Sequence, residues 1–229
     1  MQSSKIRVVI VEPEYPENLG MIARACKNFA CTDLYLVNPK TNRESMQAVS
    51  RAVHAQDVLA KAKITSTLSS ALKGIDYSIA ATARLSKNDK FFRKALSLED
   101  AGKQLAGTGK AIALVFGRES SGLTNEEVQE CDLVLTIPTS HTYRSLNISH
   151  AVALCLYEFY ERREKRQLRP ASKALRTALM NKIQKIIDNS EHIDNKQGVG
   201  ESVKGIIMRA PVTEKEVRAL FSLFQERHT

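Results

Sequence analysis

Five short apolar segments alternate with stretches of helical spacing, and this alternation constrains the fold more than any other feature. Continuous apolar runs of this length are typical of strands buried on both faces of a sheet. Strands alternating with helices predict a mostly parallel sheet covered by helices, so the predicted fold class is α/β. The predicted strands are residues 6–11, 33–38, 77–83, 111–116 and 133–138.

Apolar residues recur every three or four positions in the segments between these strands, as expected of helices. A short helix is predicted after Thr124, because Glu127 stands three residues on and completes a capping box. The longer predicted helices cover residues 17–29, 45–63 and 98–105.

A long helix begins at about Asn147, and its first three turns are apolar nearly all round. Such a helix is buried, either in a core or at a contact between subunits, so we predict a homodimer. After Tyr160 the sequence becomes basic, and Pro170 ends the segment. We therefore divide the chain into a domain of residues 1–160 and a small all-α extension of residues 161–229.

The extension carries two predicted helices, residues 171–189 and 213–227. The second has Thr213 as its cap and Glu216 in the capping-box position. Three glycines between residues 195 and 205 predict a loop between these helices.

The net charge of +9 is unevenly distributed. Residues 162–185 hold nine basic residues and one acidic residue, and residues 84–94 hold five cations, one anion and two aromatic side chains. Clustered cations are typical of proteins that bind polyanions. A solvated helix face is the alternative, because most charge runs are no more than that.

Several other classes are not favoured. No run of 18 apolar residues indicates a membrane span, and the apolar stretch at residues 6–11 is too short for a signal peptide. The four cysteines lack C-x-x-C spacing and the five histidines are scattered, so we expect buried thiols, no disulfide framework and no metal site. We accordingly predict a cytoplasmic protein without a membrane partner.

The chain lacks a complete dinucleotide fingerprint, P-loop or nucleophile elbow. Three other segments follow predicted strand ends, where parallel sheets bind ligands. Each segment alone has an ordinary structural interpretation as turn glycines or helix caps. The segments are Asn18-x-Gly20-x3-Arg24, Phe116-Gly117-x-Glu119-x2-Gly122-Leu123, and Ile137-Pro138 followed by Ser145-Leu146-Asn147.

Together, in this order and at this spacing, these segments resemble the SPOUT methyltransferases, which are trefoil-knotted RNA methyltransferases. Within them the chain is similar to the TrmH-like branch, which methylates ribose 2′-hydroxyls. The resemblance covers residues 6–160 well and the basic extension more loosely. It implies a C-terminal trefoil knot, a homodimer formed through the last helix of the domain, and S-adenosylmethionine as methyl donor, with S-adenosylhomocysteine as product. It also implies tRNA as substrate, at anticodon-loop nucleotide 32.

The resemblance also assigns roles to positions of this sequence. Arg24 matches the catalytic arginine, and the other catalytic-site matches are Asn18, Glu119, Ser145 and Asn147. The donor-binding matches are Ala81, Thr82, Ala83, Gly117, Ile137, Arg144, Ser145 and Leu146. Arg144 departs from the family, where a small residue is usual at this position, which leaves the choice of nucleotide open.

RNA contacts are predicted partly from the resemblance and partly from charge. Arg84 and Tyr143 match positions that similar enzymes use near the RNA. The basic clusters add Lys87, Lys90, Arg93, Lys94, Arg162, Arg163, Arg166, Lys173 and Arg176.

The implied chemistry is an in-line methyl displacement, in which the enzyme aligns the reactants and helps a poorly acidic hydroxyl to lose its proton. Arg24 could act as the base, although a guanidinium holds its proton tightly. Alternatively, Arg24 stabilises the developing alkoxide while a neighbouring phosphate takes the proton. Two further alternatives concern function: methylation at another tRNA or ribosomal RNA site, and a non-catalytic RNA-binding protein on a knotted scaffold.

Overall fold

The structure is a computed structural model that describes residues 5–83, 95–140, 142–143, 145–162, 171–209 and 212–223. The chain divides into two compact units, residues 1–166 and residues 167–229. Among the described residues, no helix is both long and apolar enough to cross a membrane.

The first unit is built on a seven-stranded sheet in which all neighbouring strands are parallel. The predicted α/β class with a parallel sheet is therefore confirmed, whereas the knot stays a prediction. The strands are β1 (Lys5–Val11), β2 (Asp33–Val37), β3 (Lys63–Thr65), β4 (Tyr77–Ala81), β5 (Ala95–Ser97), β6 (Ala111–Phe116) and β7 (Leu133–Thr136). Their order is β3-β2-β1-β6-β4-β7-β5.

Helices of this unit cover the sheet. They are α1 (Pro16–Asn28), α2 (Met46–Ala52), a 3-10 turn (Val53–Ala55), α3 (Gln56–Ala60), α4 (Leu68–Ala71), α5 (Leu98–Leu105), α6 (Asn125–Glu130) and α7 (Ile148–Glu161). The predicted capping box of α6 is confirmed, because Thr124 and Glu127 exchange side-chain and backbone hydrogen bonds.

Two predictions in this unit need correction. The predicted helix of residues 45–63 is broken, because Val53 adopts a φ of 49°, a left-handed conformation that a β-branched residue rarely takes. Strands β3 and β5 were missed. Each has only three residues and lies at an edge of the sheet, so neither needs a long apolar run.

Close packing of helices supports the sheet on one side. Gly20 of α1 lies so near α2 that an added Cβ would stand 2.3 Å from the carbonyl oxygen of Ala48 and 2.7 Å from the nitrogen of Ala52. Only glycine permits this approach. Because α1 begins just after β1, this contact fixes the helix that carries the first motif.

The direction of the chain reverses between β1 and β6. From β1 the chain moves outward to β2 and β3 on one side, whereas β6, β4, β7 and β5 lie on the other. The loops that follow β1 and β6 therefore lie side by side at the carboxyl edge. In parallel sheets this reversal point is where ligands bind.

Within its described residues, the second unit contains three helices, α8 (Lys173–Asn189), α9 (Lys196–Arg209) and α10 (Glu214–Leu223). Their shared apolar core includes Ala171, Leu179, Ile207 and Val217. The predicted loop at residues 195–205 is wrong, since nearly all of it belongs to α9. The capping box of α10 is confirmed by the hydrogen bonds between Thr213 and Glu216.

Arg176 does not lie on the surface, so its predicted role in RNA binding is corrected. Its side chain is buried in the three-helix unit, and its Nη1 donates to the sulfur of Met208 at 3.3 Å. The buried positions of α8 are Arg176, Leu179 and Ile187. Helical spacing places this arginine on the apolar side of α8, a placement that charge alone did not indicate.

All four cysteines are free and buried, as predicted. Complete burial raises the pKa of the Cys155 thiol far above its usual value. Such a thiol stays protonated at neutral pH and is a poor nucleophile.

Candidate active site at the carboxyl edge of the sheet

Three of the predicted catalytic-site residues meet in one hydrogen-bonded relay. The side-chain amide of Asn18, in the first turn of α1, donates to Glu119 Oε1 at 2.9 Å. The amide of Asn147, which caps α7, donates to Asn18 Oδ1 at 3.0 Å. Asn18 lies 101 residues from Glu119 and 129 residues from Asn147, so the fold assembles the relay from three distant segments.

The direction of each hydrogen bond in the relay is fixed from one end. Asn147 Oδ1 accepts from the backbone N–H of Ser149 at 2.8 Å and from its hydroxyl at 2.6 Å. The NH2 group of Asn147 must therefore face Asn18. The NH2 group of Asn18 in turn faces Glu119, whose other oxygen accepts from the backbone N–H of Glu14 at 2.9 Å. The three side chains thus hold one another, and Ser149 is a member of the site that the sequence did not reveal.

The loop after β6 is closed by its own contacts. Arg118 and Gly122 exchange two backbone hydrogen bonds, and Gly122 has a φ of 74°. A Cβ on Gly117 would stand 2.1 Å from the carbonyl carbon of Gly122, so no other residue fits there. The tight turn holds Glu119 toward the relay.

Ion pairs join this loop to its neighbours. The Arg118 guanidinium donates to Glu12 Oε2 at 2.8 Å and to both oxygens of Glu127 at 2.9 and 3.0 Å. These hydrogen bonds, Glu127 first, raise the pKa of Arg118, and the contacts with Arg118 and Lys40 lower the pKa of Glu12. Arg118 is therefore fully committed to structure.

Arg24 differs from the relay in exposure and in partners. It stands six residues after Asn18 on α1, about 9 Å along the axis and about 120° around it. Its side chain is exposed. No hydrogen bond or ion pair joins it to another residue in the described part of the chain. The Arg24 guanidinium is therefore available to a ligand, whereas the amide of Asn18 is buried and hydrogen-bonded at both ends.

The predicted donor-binding positions lie at the ends of adjacent strands. Ala81 ends β4, and Thr82 and Ala83 follow it. Gly117 follows β6, Ile137 follows β7, and Ser145 and Leu146 precede α7. Arg144 lies outside the described residues. These donor-binding positions have small side chains, half-buried apolar groups or turns in which the main chain reaches the surface. These features fit a donor that is held largely by backbone groups.

The predicted RNA-binding residues differ in availability. Tyr143 and Lys173 are exposed, whereas Arg162 is half-buried and paired with Glu158. The structure adds Lys182 and Lys185, which lie on the exposed side of α8. Seven predicted residues lie outside the described part of the chain: Arg84, Lys87, Lys90, Arg93, Lys94, Arg163 and Arg166. Across the residues that are described, no cluster of three or more acidic, histidine or cysteine side chains could hold a metal ion.

Known proteins share both the sequence and the fold. Residues 5–157 match the SpoU rRNA Methylase family. A Methanocaldococcus jannaschii protein named tRNA (cytidine-2′-O-)-methyltransferase TrmJ is 34% identical over 227 residues, covering 96% of this chain and 98% of the relative. A Yersinia pestis protein named tRNA (cytidine/uridine-2′-O-)-methyltransferase TrmJ is 39% identical over 161 residues, covering 67% of this chain and 59% of the relative.

Solved structures agree with these matches. A probable methylase family protein from Haemophilus influenzae has a TM-score of 0.73 at 27% identity, covering 96% of this chain and 94% of that one. TrmJ from Z. mobilis has a TM-score of 0.64 at 25% identity, covering 95% of this chain and 96% of that one. The family expected from the three motifs is confirmed, and so are RNA methyl transfer and S-adenosylmethionine as donor. The chain belongs to the SpoU rRNA methylase family.

Proposed function

We propose that this enzyme methylates the ribose 2′-hydroxyl of a tRNA nucleotide, at anticodon-loop position 32. The observation that carries the proposal is the exposed guanidinium of Arg24, which has no hydrogen-bond or ion-pair partner among the described residues. It lies on α1, the helix that the relay joins to the other two motif segments. A relative named as a tRNA 2′-O-methyltransferase, similar over nearly its whole length, supports tRNA as the substrate.

S-adenosylmethionine supplies a methyl group already activated by a positively charged sulfur. The backbone around Ala81–Ala83, Gly117 and Ile137 would hold it at the carboxyl edge of the sheet. Arg24 would face the ribose oxygen and stabilise negative charge as the oxygen loses its proton. A guanidinium keeps its own proton at neutral pH, so we favour stabilisation over direct proton abstraction.

Glu119 and Asn147 play a supporting part in this scheme. Both oxygens of Glu119 already accept hydrogen bonds from the protein, and both ends of the Asn147 amide are engaged. Neither group is free to take a proton from the substrate without breaking the relay. Ser145 is exposed next to the relay, so its hydroxyl can reach a ligand.

A specific observation favours a second position on tRNA. A structure described as giving insight into the 2-OH methylation of C/U34 on tRNA has a TM-score of 0.57 at 25% identity, covering 70% of this chain. Position 34 is therefore the principal alternative to position 32. The Methanocaldococcus jannaschii relative, which matches over nearly its whole length, is named for cytidine alone, and this favours cytidine as the acceptor base.

Mapping the product distinguishes these positions. We expect the purified protein to transfer labelled methyl groups to tRNA, and mass spectrometry of nuclease fragments to place the 2′-O-methyl group on cytidine 32. Modification of nucleotide 34 or of ribosomal RNA would assign another substrate. Failure of calorimetry to detect S-adenosylmethionine binding would instead favour a non-catalytic RNA-binding protein.

The Arg24→Ala variant tests the electrostatic role. Loss of one donor to a developing oxyanion costs about 100- to 1,000-fold in kcat, and we expect a loss of this size under single-turnover conditions. Donor affinity, measured by calorimetry, should stay within about threefold, since Arg24 lies off the predicted donor loops.

Lys27→Ala is the matched control, because Lys27 is an exposed cation on the same helix already paired with Asp57 at 2.7 Å. Its turnover should equal that of the wild type. Wild-type turnover of Arg24→Ala would remove Arg24 from the chemistry.

The second unit is proposed to bind the body of the RNA through α8. Lys173, Lys182 and Lys185 are exposed on this helix. Each cation that contacts a phosphate releases counterions, so affinity falls with salt roughly in proportion to the number of contacts.

We expect the double substitution Lys182→Ala/Lys185→Ala to weaken tRNA binding and to reduce the slope of log affinity against log salt by about two. Arg218→Ala is the control, because Arg218 is already paired with Glu214 on the surface of α10. Unchanged affinity and slope in the double variant would mean that this side of α8 does not contact RNA.

A homodimer is proposed through the outer side of α7. Leu154, Tyr157 and Tyr160 are each about half exposed there, and the Phe29 ring lies 6.2 Å and 6.0 Å from those of Tyr157 and Tyr160. Exposed aromatic clusters of this kind are typical of subunit interfaces.

Tyr157→Lys should shift the mass measured by sedimentation equilibrium from dimer toward monomer, because it places a charge in the proposed interface. Met46→Lys is a matched control, since Met46 is an exposed apolar residue on α2. If Met46→Lys dissociates the protein and Tyr157→Lys does not, the interface lies elsewhere.

A further inference from the structure

Two loops at the reversal point of the sheet exchange hydrogen bonds in both directions. The backbone N–H of Glu14, in the loop after β1, donates to Glu119 Oε2 at 2.9 Å. In return, the loop after β6 donates to Glu14: the N–H of Ser120 reaches Oε2 at 3.0 Å and its hydroxyl reaches Oε1 at 2.8 Å. We refer to Glu14, Glu119 and Ser120 as the loop clamp.

The clamp joins the relay at Glu119, whose Oε1 accepts from Asn18. Glu14 also stands two residues before Pro16, where α1 begins. The N-cap residue of α1, Tyr15, makes no side-chain capping hydrogen bond. The start of the helix that carries Arg24 is therefore held from outside by the clamp and the relay.

From this arrangement we infer that Glu14 is a positioning residue for methyl transfer, acting through α1 on Arg24. The inference rests on the proposed function of Arg24. The clamp links only the loops after β1 and β6, whereas most predicted donor positions follow β4 and β7 or precede α7. Loss of Glu14 should therefore disturb the alignment of the reacting groups more than the binding of the donor.

A purely stabilising role for Glu14 makes different predictions. It would lower the melting temperature of the variant but leave kcat per folded molecule unchanged. The Glu14→Gln variant adds a second comparison, between loss of the carboxylate charge and loss of the hydrogen bonds. Glutamine separates these effects, because its oxygen can accept from the Ser120 N–H while its NH2 group donates to the Ser120 hydroxyl.

The experiment compares Glu14→Ala, Glu14→Gln, Ser120→Ala and the Glu14→Ala/Ser120→Ala double variant, each as full chain. Steady-state methylation of tRNA at saturating substrate gives kcat, and calorimetry gives S-adenosylmethionine affinity. A small misalignment of reacting groups is costly, so we expect Glu14→Ala to lose at least about tenfold in kcat, with donor affinity within about threefold. Glu14→Gln should restore most of the rate.

The double variant should lose no more than Glu14→Ala alone, because the two side chains share one contact and their effects are not additive. Glu17→Ala is the matched control: Glu17 is the acidic residue in the first turn of α1, and in the described part of the chain no hydrogen bond joins it to the clamp. Its kcat should match that of the wild type.

Three outcomes would overturn the inference: wild-type kcat in Glu14→Ala, an equal loss in Glu14→Gln, or additive losses in the double variant. Hydrogen exchange separates the failure of this inference from failure of the proposed function. If the wild-type protein transfers no methyl group, the proposed function fails. In that case the clamp is tested by amide hydrogen exchange of residues 12–20, which should be faster in Glu14→Ala than in Glu17→Ala. Equal or slower exchange in Glu14→Ala would overturn the clamp.

Discussion

The amide relay from Asn147 through Asn18 to Glu119 is the interaction on which the site depends. A buried amide left without partners costs about 1–3 kcal/mol, and the buried side chain of Asn18 finds its partners only in segments 101 and 129 residues away. The relay is satisfied only when the start of α1, the loop after β6 and the cap of α7 are all in place. Ser149 donates to Asn147 Oδ1 and thereby sets which atom of each amide donates and which accepts. The same constraint that stabilises the fold thus fixes the geometry of the site.

Arg118 and Arg24 differ in what their guanidinium groups already bind. Arg118 donates to the carboxylates of Glu12 and Glu127, which hold its guanidinium against the protein. Arg24 has an exposed side chain without a protein partner among the described residues, although it lies on the helix that Asn18 secures. A cation can stabilise a developing negative charge more readily when it need not first be released from a protein carboxylate. Arg24 meets this condition and Arg118 does not.

The five buried strands and the three motifs were predictable, because continuous apolar runs and fixed spacings are local properties of the sequence. The edge strands β3 and β5 and the helix α9 were not. Three glycines indicated a loop, yet Gly198, Gly200 and Gly205 all lie within α9, which packs against α8. Likewise, the motifs identified Asn18, Glu119 and Asn147 but did not indicate that these side chains contact one another. No local sequence pattern indicated the roles of Glu14, Ser120 and Ser149. Contacts across more than 100 residues are set by the sheet order, which periodicity does not determine.

The burial of Arg176 also changes the interpretation of the basic charge. Of the five basic residues in 162–185 that the structure describes, Arg162 is paired with Glu158 and Arg176 is buried, which leaves Lys173, Lys182 and Lys185 exposed. Only available cations release counterions on a phosphate backbone, so the net charge of this segment overstates its contribution to affinity. Phosphate contacts of this kind hold RNA without reading its sequence. Sequence choice in single-stranded RNA comes instead from bases that stack on aromatic side chains and are read at their edges. Tyr143, four residues before the cap of α7 in sequence, presents an exposed ring of this kind.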